Sequence, residues 1–438
     1  MNTTAARIRA CPLFWPLPPA LVLVPAGLIL AVTLIGTWDQ LAWRALDWVY
    51  LSSQVGARAR LPVVVAAAGA ALAAARFTRR TLVFAQPWQP RVEWDVPVRH
   101  AAVVAGWCLG AYLVGLLPLT AAVAARGAGS PDLLAVAGAL AGFVALTLLG
   151  YLCGIAARGL LAVPVAMGTV FLLTSLPLVS DAWTALSLQL PFDPFLGMRE
   201  APALGPYRLG FFLLLSVALT WTAVWLLRAP RRFSAVHGAA VAAVAVAVLL
   251  PHLHPFPLVV RDPAGDEVCE ERGGVRYCVH EGHARELGAI ADLAEPVFEA
   301  YGLAEAAPDE VRDQSLARGD GEVLGGPRGG VLWLPVHPGW DPDQQVPAFA
   351  AGWLVPGAHR CGSEGVATLD GGARPQERRA AVLVGLEAWL AARALPGGSP
   401  GDGLFADADP DEVRAWIRRE RERLAACEVD PEELPWRA

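Results

Sequence analysis

Lysine is absent from the 438-residue sequence: all 35 basic residues are arginine. A chain without lysine cannot form the G-x-x-x-x-G-K-[ST] phosphate loop, a Schiff-base lysine or a Ser–Lys dyad. Any use of nucleotide energy therefore requires a second chain that binds the nucleotide. We expect neither an enzymatic activity nor a cofactor from the remaining motifs, and no nucleic-acid partner.

Charged residues are also scarce, at 17% of the chain, and they are unevenly distributed. Residues 1–251 contain 17 arginines and 8 acidic residues, a net charge of +9, whereas residues 252–438 contain 18 arginines and 33 acidic residues, a net charge of −15. An average soluble protein has about 25% charged residues, so a single soluble globule is excluded. We predict a polytopic α-helical membrane bundle over 1–251, followed by a soluble extracytoplasmic domain over 252–438.

Seven apolar segments of the first part approach the roughly 20 residues that a transmembrane helix needs. They are residues 17–37, 61–75, 100–123, 133–157, 160–179, 209–227 and 234–251. With the N-terminus inside, 11 arginines fall in cytoplasmic segments and 6, among them Arg58 and Arg60, in the opposite loops. Because arginine-rich loops stay in the cytoplasm, we predict a multi-pass protein of the cell membrane with its N-terminus inside and its C-terminal domain outside.

The longest cytoplasmic connection, residues 76–99, combines charges of alternating sign with aromatic rings. Its candidate functional residues are Trp88, Arg91, Glu93, Trp94, Asp95 and Arg99. The simpler interpretation is a solvated loop whose arginines set the topology. In this connection and in the apolar outer segment Ser180–Tyr207, the chain resembles the membrane subunits of ABC-type exporters, which have six spans each. The resemblance covers about residues 1–230 and is one of layout.

This resemblance implies that a separate ATPase subunit docks on the 76–99 connection and that a second permease subunit, identical or different, completes the transporter. Two features depart from the family: a seventh span and the appended outer domain. The alternative hypothesis is a membrane anchor that presents an outer binding domain and transports nothing.

Four of the seven cysteines lie in the second part, at Cys269, Cys278, Cys361 and Cys427. An even number of cysteines on an oxidising face indicates disulfides. Gly273-Gly274 between two strand-like runs predicts a hairpin that brings Cys269 to Cys278 and leaves Cys361 for Cys427. Four cysteines allow three pairings, and a zinc site is the competing interpretation, although no C-x-x-C occurs.

The segment from His280 to His283 reads H-E-G-H, which resembles the zinc-binding H-E-x-x-H helix with its second histidine one residue early. His280 and His283 could share a metal, as in a metal-dependent hydrolase, only if one helix includes both. The strand-like run Val275–Val279 argues against this. We therefore predict a helix N-terminus with solvent-exposed polar residues, inside a helix-rich α+β domain that is large enough for its own core.

Overall fold

The computed structural model describes residues 17–77, 90–157, 159–227, 235–255, 257–262, 265–302, 306–319, 330–355, 375–393, 395 and 403–437. The protein is mostly helical, at 71%, with a small region of sheet. Its chain divides into two compact units, Met1–Val260 and Arg261–Ala438. The sequence predicted this division at 251/252, at the end of the last apolar run, whereas the first unit extends to Val260.

The first unit is a bundle of helices with two short strands, β1 (Met198–Glu200) and β2 (Val259–Arg261), which pair with each other. The described helices of this unit are α1 (Pro19–Thr37), α2 (Trp48–Ala57), α3 (Arg60–Phe77), α4 (Pro90–Arg126), α5 (Leu133–Ala157), α6 (Ala162–Ser175), α7 (Asp181–Thr184), α8 (Leu204–Leu227) and α9 (Ala235–Leu253).

Among the residues that the structure describes, six helical segments are long and apolar enough to cross a membrane. They are Pro19–Ala42, Trp48–Arg76, Pro97–Arg126, Leu133–Ala157, Leu204–Leu227 and Ala235–Leu253. The predicted span 160–179 corresponds to a shorter apolar helix, Ala162–Leu178, whose last turn is a 3-10 turn. Gly159, at a φ of +124°, precedes this helix, and Pro177 lies in its last turn. These two residues limit its length.

The second predicted span is too short, because the helical segment begins at Trp48 and not at residue 61. Polar residues lower the hydropathy of this stretch, yet Ser52, Ser53 and Gln54 are buried within the bundle. Their hydrogen bonds are made inside the unit, as burial of polar groups requires. Arg58 and Arg60 therefore belong to a helical segment of the bundle and not to a loop.

Contacts between distant loops define one end of the bundle, which we call the Asp47 end. Trp48 N donates to Ala128 O at 2.9 Å, and Leu196 N donates to Asp47 Oδ2 at 3.3 Å. Ala201 N donates to Leu258 O at 3.0 Å. The connections around residues 47, 128, 196 and 258 thus lie on the same side, so the long helices run through the bundle in alternating directions.

The opposite end, which we call the His100 end, carries two histidines in aromatic surroundings. Tyr151 Oη lies 3.4 Å from His100 Nδ1, and Trp221 Nε1 donates to His237 Nδ1 at 3.4 Å. The helix α6 leaves this end after α5 and reaches Arg60, whose Nη2 donates to Ser175 Oγ at 2.8 Å. Although it is short, α6 therefore runs from the His100 end toward the Asp47 end, as expected for the fifth predicted span.

The second unit combines a four-stranded sheet with helices. Strands β3 (Glu267–Arg272) and β4 (Val275–His280) pair antiparallel, whereas β5 (Glu310–Asp313) and β6 (Val331–Leu334) continue the sheet in parallel, in the order β3-β4-β5-β6. The helices among its described residues are α10 (Leu287–Tyr301), α11 (Pro342–Leu354), α12 (Pro375–Arg393) and α13 (Pro410–Ala425). This unit matches the predicted helix-rich α+β composition.

Candidate functional site

The predicted coupling residues fall at the beginning of α4, which starts at Pro90. Trp88 lies outside the described residues. The backbone of Arg91, Glu93, Trp94 and Asp95 is helical and continuous with the apolar part of α4, and the side chain of Arg99 is exposed. The pattern of alternating charge thus lies on the first turns of a long helix and not on a loop.

The predicted disulfide of the hairpin is present. Cys269 and Cys278 face each other across β3 and β4, with their Sγ atoms 2.07 Å and their Cα atoms 4.2 Å apart. Cys427 is also disulfide-bonded. Cys361, its predicted partner, lies outside the described residues.

His280 and His283 are both buried, contrary to the expectation of solvent-exposed residues. His280 ends β4 and its Nδ1 accepts from Gly282 N at 3.0 Å, while His283 Nδ1 lies 2.6 Å from Asp313 Oδ2. Asp313 Oδ1 also accepts from Ser315 N at 2.9 Å. The two histidines thus join the end of β4 to the end of β5.

These histidines do not form a group of metal ligands within the described parts of the chain. Among the residues that the structure places, the group whose ligand atoms lie close enough together is Glu267, Cys269 and Cys278. Both of its sulfurs belong to the disulfide, and a zinc site requires thiolates. This group is therefore explained by the hairpin.

A cleft in the first unit that is lined mainly by apolar surface but contains two arginines is the strongest candidate site. It has a volume of about 490 Å³ and lies between α1, the junction of α2 with α3, α6 and the segment after α7. Its polar lining consists of Thr33, Arg58, Arg60 and Gln189, and its apolar lining includes Leu61 and Phe171. We call it the arginine cleft.

The junction of α2 with α3 positions both arginines. Pro62 has no N–H and so cannot donate to the carbonyl of Arg58, which interrupts the helical hydrogen bonds at this point. Arg58 N still donates to Gln54 O at 2.9 Å, and Val63 N donates to Ala59 O at 2.8 Å. The helix therefore breaks for two residues, Arg58 and Ala59, and then continues.

A network of polar side chains supports Arg58 from the Asp47 end. Arg58 Nε donates to Gln54 Oε1 at 2.8 Å, and Gln40 Nε2 donates to Gln54 Oε1 at 3.3 Å and to Tyr50 Oη at 3.0 Å. Gln40 and Gln54 are almost completely buried. These hydrogen-bond partners are neutral and orient the guanidinium, whose charge is opposed in part by the Asp193 carboxylate.

Arg60 projects toward α6. Besides its bond to Ser175, its guanidinium carbon lies 5.3 Å from the centre of the Phe171 ring, a distance at which a cation is attracted to the ring face. Arg60 Nε is buried and has no hydrogen-bond partner among the described residues. Within the same residues, neither Arg58 nor Arg60 forms an ion pair.

A buried ion pair holds the segment that supplies Gln189. Arg208 Nη1 donates to Glu200 Oε1 at 2.9 Å, and Arg208 Nη2 donates to Thr184 O at 2.9 Å and to Gln189 O at 3.4 Å. Burial raises the pKa of the Glu200 carboxyl, an effect that Arg208 opposes. The pair fixes the backbone of Gln189 beside the cleft.

Hydropathy and the arginine bias alone put Arg58 and Arg60 in an outer loop, so the arginine cleft is not predicted from the sequence. A signal was present: Tyr50, Gln54 and Arg58 recur at intervals of four residues, the spacing of side chains on one helix face. Searches against protein-family models, curated proteins and solved structures find no match for this chain.

Proposed function

We propose that this chain is the permease-like membrane subunit of an ABC-type export system and works with a separate ATPase subunit. The observation that carries the proposal is the length of α4. This helix has 37 residues, about 55 Å at 1.5 Å per residue, whereas the hydrocarbon core of a bilayer is about 30 Å thick. The charged first turns of α4 therefore extend beyond an apolar layer centred on the bundle.

The proposed orientation puts these turns in the cytoplasm, where an ATPase could reach them. The alternating directions of the helices support seven crossings, with α6 as the fifth, because the connections expected outside all meet at the Asp47 end. The protein would then span the cell membrane with its N-terminus inside and its C-terminal unit outside. A second permease subunit would complete the transporter.

The segment between α7 and α8 also supports a permease. Leu188 reaches into the bundle, where a Cβ at Gly56 would lie 1.9 Å from Leu188 O and a Cβ at Gly142 would lie 2.3 Å from Leu188 Cδ2. Irregular backbone at membrane depth is tolerated where it is buried in protein or lines a cavity. This segment does both, since Gln189 lines the arginine cleft.

The proposal is tested by co-expression with an ATPase encoded beside this chain, if the genome contains one with a Walker lysine. We expect the double variant Trp94→Ala/Asp95→Ala to lose co-purification of that ATPase, since truncating a central interface residue typically costs over about 2 kcal/mol. Membrane insertion and abundance should remain normal, because Arg76, Arg79 and Arg80 are unchanged.

The chain offers a matched control in a second Trp-Asp pair. Trp38 and Asp39 are both exposed after α1, toward the Asp47 end, so Trp38→Ala/Asp39→Ala should leave co-purification intact. Retained co-purification in the Trp94/Asp95 variant, or the absence of any such ATPase, would favour the anchor that presents an outer binding domain.

A further inference from the structure

The arginine cleft lies inside the bundle and not at its surface loops. Gly56, two residues before Arg58, is next to Ala139, which is six residues into α5 and thus about 9 Å beyond its first residue. Arginines at such a depth are rare in membrane proteins and face cavities or partners that carry the opposite charge. At this depth, the two guanidinium groups are expected to face a cavity or a partner of opposite charge.

The charge in the cleft is only partly neutralised by the described part of the protein. Arg58 bonds to the amide of Gln54, and Arg60 bonds to the hydroxyl of Ser175. Asp193 is the carboxylate that acts on this region: it lies 3.5 Å from Ser53 Oγ and interacts electrostatically with Arg58. One carboxylate against two guanidinium groups leaves the cleft with a net positive charge.

The apolar side of the cleft continues onto the outer surface of the bundle. Leu61 is 57% exposed and Phe171 is 46% exposed, although both line the cleft. Exposed apolar side chains on a membrane-spanning helix face hydrocarbon. A molecule in the cleft can therefore contact the arginines and the hydrocarbon at the same time.

We infer that the arginine cleft binds an anionic amphiphile, with a phosphate headgroup at Arg58 and Arg60 and a hydrocarbon chain along Leu61 and Phe171. Arginine binds phosphate oxygens through two parallel N–H groups, and the side chains of Arg58 and Arg60 both line the cleft. The volume of about 490 Å³ lies within the 300–1,000 Å³ usual for ligand pockets. This inference goes beyond the proposed function and does not depend on an ATPase partner.

Binding to the purified full-length chain in detergent micelles tests this inference. The probes are phosphatidylglycerol with a fluorescent tail and phosphatidylcholine with the same tail, and the readout is fluorescence anisotropy. We expect phosphatidylglycerol to bind at least about tenfold more tightly, and Arg58→Gln/Arg60→Gln to abolish this preference, because charged hydrogen bonds contribute most of it. Equal affinity for the two lipids, or an unchanged preference in the double variant, would overturn the inference.

The matched charge control is Arg44→Gln, a substitution of an exposed arginine toward the Asp47 end, which should leave the preference within about twofold. A loss of the phosphatidylglycerol preference as large as that of the Arg58/Arg60 variant would mean that general surface charge attracts the lipid, and the cleft would lose its role.

Inorganic phosphate at millimolar concentration distinguishes the two sources of phosphate, a lipid headgroup and the free ion. Full displacement of the lipid by it would show that the site takes a headgroup alone and would overturn the amphiphile.

A second variant tests the cleft without changing charge. Gly36 lines the cleft, and a Cβ there would meet no atom within 4 Å, so Gly36→Leu should fill space that the ligand needs without disturbing α1. Gly27→Leu is its control on the same helix, since a Cβ there also meets nothing. We expect at least about a fivefold loss of phosphatidylglycerol affinity for Gly36→Leu and none for Gly27→Leu. Equal affinities of these two variants would contradict the assigned site even if the arginine variants fail to fold.

Discussion

At the scale of single residues, the bundle depends on buried polar groups whose partners come from distant segments. The Arg208–Glu200 pair is the clearest case. Its two charged side chains are only 4% and 7% exposed, although the unit around them is mostly apolar. Such a pair adds little stability compared with an apolar substitute, but removing one partner is costly because the other charge stays buried. Its role here is to hold the segment that supplies Gln189.

We therefore expect Glu200→Ala to destabilise the first unit by about 3–5 kcal/mol. Glu200→Gln should cost less, because the amide oxygen can still accept from Arg208. Thermal unfolding of the purified protein in detergent, followed by tryptophan fluorescence, measures both. The control is Arg199→Ala, an exposed neighbour in β1, and a Glu200→Ala protein no less stable than this control would refute the assigned role of the ion pair.

At the scale of helices, small residues decide which faces touch. Gly150 and Gly154 of α5 meet α3 directly: a Cβ at Gly150 would lie 2.5 Å from Ala67 Cα, and one at Gly154 would lie 2.4 Å from Ala71 O. Gly106 and Gly110 of α4 have the same spacing, yet a Cβ at either would meet nothing within 4 Å. The small-xxx-small pattern permits close approach, but it does not by itself select the helix that approaches.

We expect Gly150→Val to destabilise the bundle by more than about 2 kcal/mol, because the backbone of α3 has to move away from the added side chain. Gly106→Val should change stability by less than about 0.5 kcal/mol within a single chain. The same fluorescence melts compare the two proteins at equal concentration. A large loss for Gly106→Val would reveal a contact that this helix makes outside one chain.

At the scale of the whole molecule, charge separates the two units. The positive part carries the long apolar helices and the acidic part carries the sheet and the disulfide. A disulfide is expected where the surroundings are oxidising, which agrees with an outer location of the second unit and with the arginine bias of the first. Both observations favour the proposed orientation with the N-terminus inside.

Two reporter fusions test this orientation. A reporter that is active only outside the cytoplasm should be active when fused after Pro257 and inactive when inserted within residues 81–90, because the arginine bias keeps the latter segment inside. Immunoblots of both fusions control for abundance. The reverse pattern would refute the orientation, the outer location of the disulfide and the proposed access of an ATPase to α4.

The elements that the sequence predicted well are those that depend on neighbouring residues. Asp409 before Pro410 is a local start signal for a helix, and its carboxylate accepts from Asp411 N at 2.8 Å and from Glu412 N at 3.3 Å. The apolar run 133–157 became α5 with the same bounds. In each case the deciding interactions lie within one or two turns of the chain.

The predictions that failed concerned polar residues whose surroundings come from elsewhere. His280 and His283 were expected to be exposed, but β5 brings Asp313 to them from thirty residues away. Arg58 and Arg60 were assigned to a loop because hydropathy falls around them, whereas Gln40, Gln54 and Ser175 accommodate them inside the bundle. Hydropathy averaged over a window of consecutive residues cannot detect partners that come from distant segments.

The sequence by itself determined the division into two parts, most of the apolar helices, the hairpin with its disulfide and the absence of a phosphate loop, because composition and local periodicity suffice for each. Only the tertiary structure decided which glycines touch a neighbouring helix, where the irregular segment after α7 lies and that two arginines share a cleft. The physical reason is the separation of the partners: Ser53 and Asp193 meet across 140 residues, and such a contact exists only once the helices between them have packed.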